Sequence, residues 1–278
     1  MPKNILYKTF IFIMGLLCFT LISAQQLEDC LVDFDYKAVY KSDYYPDSLD
    51  QDHQQTEYWV LYGMGNDHSF FTTVKNISMD SIKRVEKEKG NPFGPSMEWY
   101  KANGTRIITV IFKNLKDSEI EVHDNLAYNV PEVYIYAESG ALDWELTEDT
   151  LHIGEAVCSG ARVSFGGREW KAWFNPEVPV TDGPYKFYGL PGLIYRVEDA
   201  TGSWRFSLVE LEKEEGSFPY NGADRKHIKA TKKKFNKNKR YLYDNRIMIM
   251  KNNGFNFTDE KKAERILAKD NNWVELIP

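Results

Sequence analysis

Residues 157–174 read VCSGARVSFGGREWKAWF, and the reading of this stretch decides the fold. Residues 157–165 and 168–174 flank Gly166-Gly167, a pair suited to the positive φ angles of a two-residue hairpin turn. That turn sets the register. Val163 opposes Trp170 and Ala161 opposes Ala172, with Phe165 on the same face. The other face pairs Ser164 with Glu169 and sets Trp173 across from Gly160. One face is apolar and the other mixed, which is the pattern of an antiparallel sheet covering a core on one side.

The same signals extend in both directions. Downstream, 193–198 and 204–211 form a second hairpin through Asp199, Ala200, Thr201, Gly202 and Ser203, with Trp204, Phe206 and Leu208 as one stripe. Upstream, 31–40 alternates, and Val32, Phe34, Tyr36 and Ala38 share a face. Further strands are predicted at 57–62, 69–74, 106–112, 118–122 and 132–137, each rich in Val, Ile, Tyr, Phe or Thr and bounded by turn residues. A charged helix is expected over 78–88, stopped by Gly90 and Pro92. The expected class is mainly β (α+β): an antiparallel meander that could curve into a half-barrel, with one or two helices.

Residues 225–240 carry nine Lys and Arg and no acid. A mobile, solvated connection is the expectation there, with docking on anionic lipid or polysaccharide as the functional alternative. Residues 241–250 look like another strand, and Thr258 is placed to cap a helix running to Lys269. The organisation expected is a signal peptide over 1–24, a β-rich domain over 25–222, and a basic segment with terminal strand and helix over 223–278, packed on the same domain.

The signal peptide rests on Lys3 and Lys8, an uncharged run from Phe10 to Phe19, and Ala24 before Gln25. The run is short for a bilayer span, so cleavage after Ala24 is expected and the mature chain is soluble and exported. The terminal residues 272–278 bring no recognisable sorting domain, which favours the periplasm over the cell surface, and the expected localisation is periplasmic or secreted. With 278 residues, 42% hydrophobic and 27% charged, the chain is neither disordered nor collagen-like. Its net charge of -6 argues against nucleic acid as a partner. After Cys18 leaves with the signal, Cys30 and Cys158 remain, an even pair that can close one disulfide or stay as two buried thiols.

Residues 183–194 read GPYKFYGLPGLI. In the motif Gly189, Leu190, Pro191, Gly192, Leu193 and Ile194, the chain resembles the GLPGLI family of exported Bacteroidetes proteins. Gly154, Cys158, Gly167-Arg168, Ala172-Trp173, Pro176, Pro179, Gly183-Pro184 and Asp199 fall in order around it, so the likeness covers about 151–211. The resemblance implies export and a β-rich domain. The family has no agreed activity, so no catalytic residue carries over.

Physically, Pro191-Gly192 suits the centre of a type II turn, with Leu190, Leu193 and Ile194 tucked beneath. The motif then reads as a corner of the fold. A second reading displays Leu190 and Pro191 beside Trp170, Trp173, Tyr185 and Phe187 as a ligand-binding surface. A curved sheet with helices in its hollow, as in periplasmic lipoprotein carriers, would accommodate that surface.

No catalytic motif accompanies these features. His53, His68, His123, His152 and His227 lack zinc-motif spacing, and no G-x-S-x-G, G-x-G-x-x-G or P-loop occurs. No catalytic residue, metal or cofactor is therefore expected. Asp143, Glu145, Glu148 and Asp149 read as a solvated acidic loop. The expected role is a non-catalytic envelope protein that binds an apolar or extended ligand or a protein partner: a lipid, glycan, peptide or outer-membrane protein. The alternatives are an envelope hydrolase whose site is assembled from distant residues and a structural accessory of an outer-membrane complex.

Overall fold

The structure, a computed structural model, describes residues 30–91, 94–96, 98–99, 103–105, 107–126, 132–220, 225–252 and 254–277. The expected signal peptide over 1–24 lies outside the described residues. In chain order the elements are β1 (Cys30–Phe34), β2 (Tyr36–Tyr44), β3 (Gln55–Met64), β4 (His68–Thr73), α1 (Val74–Glu88), β5 (Val110–Asn114), β6 (Glu119–Asp124) and β7 (Val133–Ser139). Then follow β8 (Glu145–Ile153), β9 (Ala156–Phe165), β10 (Arg168–Asn175), β11 (Leu193–Asp199), β12 (Trp204–Glu212), β13 (Gly216–Tyr220) and β14 (His227–Lys229). Three helices close the chain: α2 (Lys232–Asp244), α3 (Arg246–Asn252) and α4 (Glu260–Leu267).

The hairpin of β9 and β10 has the register its turn dictates. Gly166 and Gly167 take φ of 60° and 76°, and Val163 pairs with Trp170, Ala161 with Ala172 and Gly160 with Trp173. Two antiparallel meanders, β2 to β7 and β8 to β12, join where β12 pairs with β2. With β14 added in parallel to β7, they make one twelve-stranded sheet in the order β14-β7-β6-β5-β4-β3-β2-β12-β11-β10-β9-β8.

The chain itself shows that this sheet curves. β7 and β8 lie ten strand positions apart, which would be ~48 Å across a flat sheet. Yet only residues 140–144 separate Ser139 from Glu145, a link that reaches about 21 Å at full extension. The sheet must therefore bend back on itself, bringing its ends together without closing.

Its concave face holds the main core: Tyr40, Trp59, Leu61, Phe71 and Ile111 from the first meander meet Trp170, Val197 and Phe206 from the second. The convex face carries a second, smaller core. There the β1–β13 ribbon lays Val32, Phe218 and Tyr220 over Phe70 and Val110.

Several expected elements change. The strand over 31–40 breaks at Asp35, so that β1 covers the outer face and β2 enters the sheet. The acidic stretch around Glu145, Glu148 and Asp149 is edge strand β8, not a loop. The basic run is not a free connection: Thr231 caps α2, accepting from Lys234 N, and Phe235 anchors the helix against Tyr134 and Tyr136 of β7. The expected strand over 241–250 is the end of α2 and α3, because a short apolar run fits a helix as readily as a strand. The final helix is capped by Asp259 rather than Thr258.

The Cys30–Cys158 disulfide is also corrected. Cys158 is a free, buried thiol on β9, pushed up to about 11 by burial. Cys30 belongs to the ribbon that packs beside β3, five strand positions from β9, whereas a bridge needs Cα atoms within about 7 Å.

Candidate functional site

The hollow of the curved sheet is where a ligand would be sought, and the chain fills it. Between β10 and β11, residues 176–192 cross the concave face as a strap held by hydrogen bonds along its length. Gly189 N donates to Thr181 O at 2.7 Å, Leu193 N to Val178 O at 3.1 Å and Ile194 N to Asp182 O at 3.0 Å. From the sheet, Tyr40 OH donates to Ile194 O at 2.8 Å. Trp144 Nε1 donates to Tyr188 O at 2.8 Å, and Tyr188 OH to Gly140 O at 3.0 Å.

The motif is the end of this strap. Gly192 N donates to Leu190 O at 2.8 Å, closing a three-residue turn around Pro191 rather than the expected type II turn. Gly192 is required by close approach, since a Cβ there would lie 2.2 Å from Asn175 O. Of the six side chains proposed from sequence as a ligand surface, Trp170, Tyr185, Phe187 and Leu190 share the main core, whereas Trp173 lies on the other face of β10 beside Lys171. Trp170, Trp173, Tyr185, Phe187 and Leu190 are buried; Pro191 is exposed. Phe187 packs against Trp170 at 4.8 Å between ring centroids and against Phe165 at 5.6 Å. A ligand approaching this conformation meets Pro191 and not the aromatic cluster.

Two buried ionic clusters tie the strap down, and neither was singled out from sequence. Lys113 of β5 and Asp182 of the strap pair with both side chains fully buried. Lys113 also donates to Gly183 O at 2.7 Å, and Tyr36 OH donates to Asp182 at 3.2 Å. Burial lowers the Lys113 pKa, opposed by the Asp182 charge. In the second cluster, Lys186 of the strap and Lys232 of α2 each bridge Glu138 of β7 and Glu275 of the C-terminal tail. Tyr185, at a positive φ of 55°, donates its hydroxyl to Glu275 at 2.7 Å. Burial would raise the Glu275 pKa, but Lys186 and Lys232 outweigh it and hold the carboxyl at about 2.

The tail is fastened at the rim as well. Arg168, the residue after the hairpin turn, pairs with Asp199 at 2.9 Å and donates to Asn272 Oδ1 at 2.5 Å and Trp273 O at 2.7 Å. Trp204 Nε1 donates to Asn272 O at 2.8 Å, and Leu276 N to Gly166 O at 2.7 Å.

The open surface lies on the other side of the sheet. A groove of about 730 Å³ has Val39, Val60 and Tyr62 of β2 and β3 as its floor. Val74 and Ile77 of α1 form one wall and Val209 of β12 the other. It continues past Lys37, Tyr62 and Ile77 into a depression of about 320 Å³ bounded by Phe34 and Phe218 of the ribbon and by Asp80 and Arg84 of α1. Three charged pairs stand at the rim, Lys37 with Glu212 at 2.8 Å, Lys75 with Glu57 at 3.4 Å, and Arg84 with Asp80 at 3.9 Å, and Glu210 and Glu214 line it as well. At this wall β12 bulges at Val209, leaving β11 after Arg196–Ser207 while staying paired with β2.

Of the five histidines, His123 and His227 approach each other, with ring centroids 5.9 Å apart and Glu121 at 2.7 Å from His123. Burial, then His123, lowers the His227 pKa. Among the described residues no group of three or more His, Cys, Asp or Glu is placed to hold a metal ion.

A family model described as a protein of unknown function (Porph_ging) matches residues 167–196, which run from the hairpin turn through the strap and its motif into β11. No curated protein sequence matches the chain. Among solved structures, PNGF-II in a P21 crystal form is similar at a TM-score of 0.47 and 13% identity, over 73% of this chain and 32% of that one. Its C2 crystal form gives 0.48 and 12%, over 74% and 32%. The chain thus spans about a third of the length of PNGF-II. A LolA superfamily protein from Nitrosomonas europaea is similar at a TM-score of 0.26 and 8% identity, over 65% of this chain and 86% of that one.

Proposed function

We propose that the protein is an exported, non-catalytic binding protein of the bacterial envelope that takes an apolar or extended ligand in the groove between α1 and β12. The observation that carries this reading is the division of the two faces. The hollow is occupied by the chain's own strap and tail, whereas the convex face keeps an apolar groove within the volume range of ligand sites. Its length, continuing between α1 and the β1–β13 ribbon, suits an acyl chain or an extended peptide better than a compact metabolite. Glu57, Asp80 and Glu212 at its rim are matched to cations, which suits them to positioning a ligand's polar end rather than to acid–base work.

Native mass spectrometry of the protein recovered from its own envelope tests the proposal. A chain beginning at Gln25 with a stoichiometric co-purifying molecule is expected. Val39→Trp, which fills the floor of the groove, should abolish the adduct. A ligand retained in that variant, or apo masses for both proteins, would overturn the binding site; a chain recovered from the cytoplasm with residues 1–24 intact would overturn export.

A further inference from the structure

The helices after the sheet divide their charges by direction. Residues 225–269 contain fifteen Lys and Arg against four Asp and Glu, while the rest of the chain holds twenty against thirty-seven. On α2 the inward cations are neutralised: Lys232 bridges Glu138 and Glu275, and Lys239 lies 3.5 Å from Asp124. The outward ones, Lys233, Lys234 and Lys237, are exposed and form no ion pair among the described residues, and the same holds for Lys261, Lys262 and Arg265 of α4.

The same basic segment carries large apolar side chains that belong to neither core. No residue of α3, whose sequence is RIMIMKN, is buried, and none of α4 is. Met248 is 46% exposed, Phe255 56% and Ile266 58%. A soluble anionic chain would need the cations and gain nothing from Met, Phe and Ile. A bilayer of anionic lipid uses both, since basic residues meet its surface charge while apolar side chains enter the boundary between headgroups and acyl chains.

We infer that α2, α3 and α4 form a docking surface for an anionic lipid bilayer, separate from the groove on the convex face. The acidic remainder of the molecule is repelled by the same bilayer and orients this end toward it. Long-range attraction of this kind weakens as salt shortens its reach.

Flotation of the folded chain with vesicles of phosphatidylcholine, alone or mixed with phosphatidylglycerol, tests the inference. Binding is expected only with phosphatidylglycerol present, with release as salt is raised. The charge variant Lys233→Glu/Lys237→Glu/Arg265→Glu and the neutral variant Met248→Ser/Phe255→Ser/Ile266→Ser should each lower the bound fraction about tenfold. All six residues are exposed, so both variants should keep the parent's unfolding temperature. Failure to float with phosphatidylglycerol vesicles would overturn the inference. So would undiminished binding by the neutral variant, which would point to a soluble polyanion such as an acidic polysaccharide.

Discussion

Lys186 is fully buried, and its ammonium meets the carboxylates of Glu138 and Glu275. Removing one partner from a buried ionic cluster leaves the opposite charge uncompensated, a loss on the order of 3–5 kcal/mol. Lys186→Met should therefore lower the unfolding free energy by about that amount near neutral pH, measured by urea titration. The pH dependence has a definite sign. Glu275 sits at about 2 in the folded chain against an ordinary 4.5, so its contribution is full above 4.5 and fades as the pH falls through 2. The gap between parent and variant should narrow across that window; a gap that stays constant from pH 7 to about 2 would mean that Glu275 does not sense Lys186. The sequence showed little of this cluster. Lys186 stands between Tyr185 and Phe187 in a motif read for its glycines and prolines, and Glu275 comes 89 positions later. Lys113 was more accessible: it is two residues from Ile111 on one strand and so shares its inward face.

At the scale of elements, what could be read followed local rules. The β9–β10 register came from two glycines and the alternation beside them, since side-chain period and turn length together leave one answer. β8 was hidden because Glu145, Glu148 and Asp149 look like loop residues, though charge is also how an edge strand is kept from pairing with another molecule. β8 is the last strand of the sheet, pairing with β9 on one side. Glu148→Val with Asp149→Val keeps the strand's propensity and removes that protection. The double variant should self-associate as concentration rises, seen by light scattering, while the parent does not; a monodisperse variant would show that another feature guards this edge. The breaks at Asp35 and at Val209 were not legible, because each depends on a layer or neighbour far away in sequence. The groove, with Val209 of the second break on one wall, was illegible for the same reason.

For the whole molecule, the curved sheet and its contents depend on each other. A twelve-stranded sheet with Trp170, Phe187 and Phe206 on its concave side cannot leave that side to water, and here the covering comes from a strap, a helix and a tail. The tail is the smallest of the three and the most connected. Asn272 reaches Arg168 and, through its Nδ2, donates to Tyr45 O at 2.7 Å. Glu275 closes the Lys186–Lys232 cluster, and Leu276 meets the hairpin turn. A chain ending at Asp270 would keep every strand yet leave the Arg168 guanidinium with Asp199 alone and open one side of that cluster. Such losses reach both meanders at once, so they should not appear as local fraying. The truncated chain is expected to unfold many degrees lower and to bind a hydrophobic dye in the hollow, with the amides that bond to the strap, those of Gly189, Leu193 and Ile194, losing their protection from hydrogen exchange together. If those amides stayed protected, the strap would be held by Lys113 and the sheet alone. The tail would then be a cover, and the hollow would be filled by the strap without it.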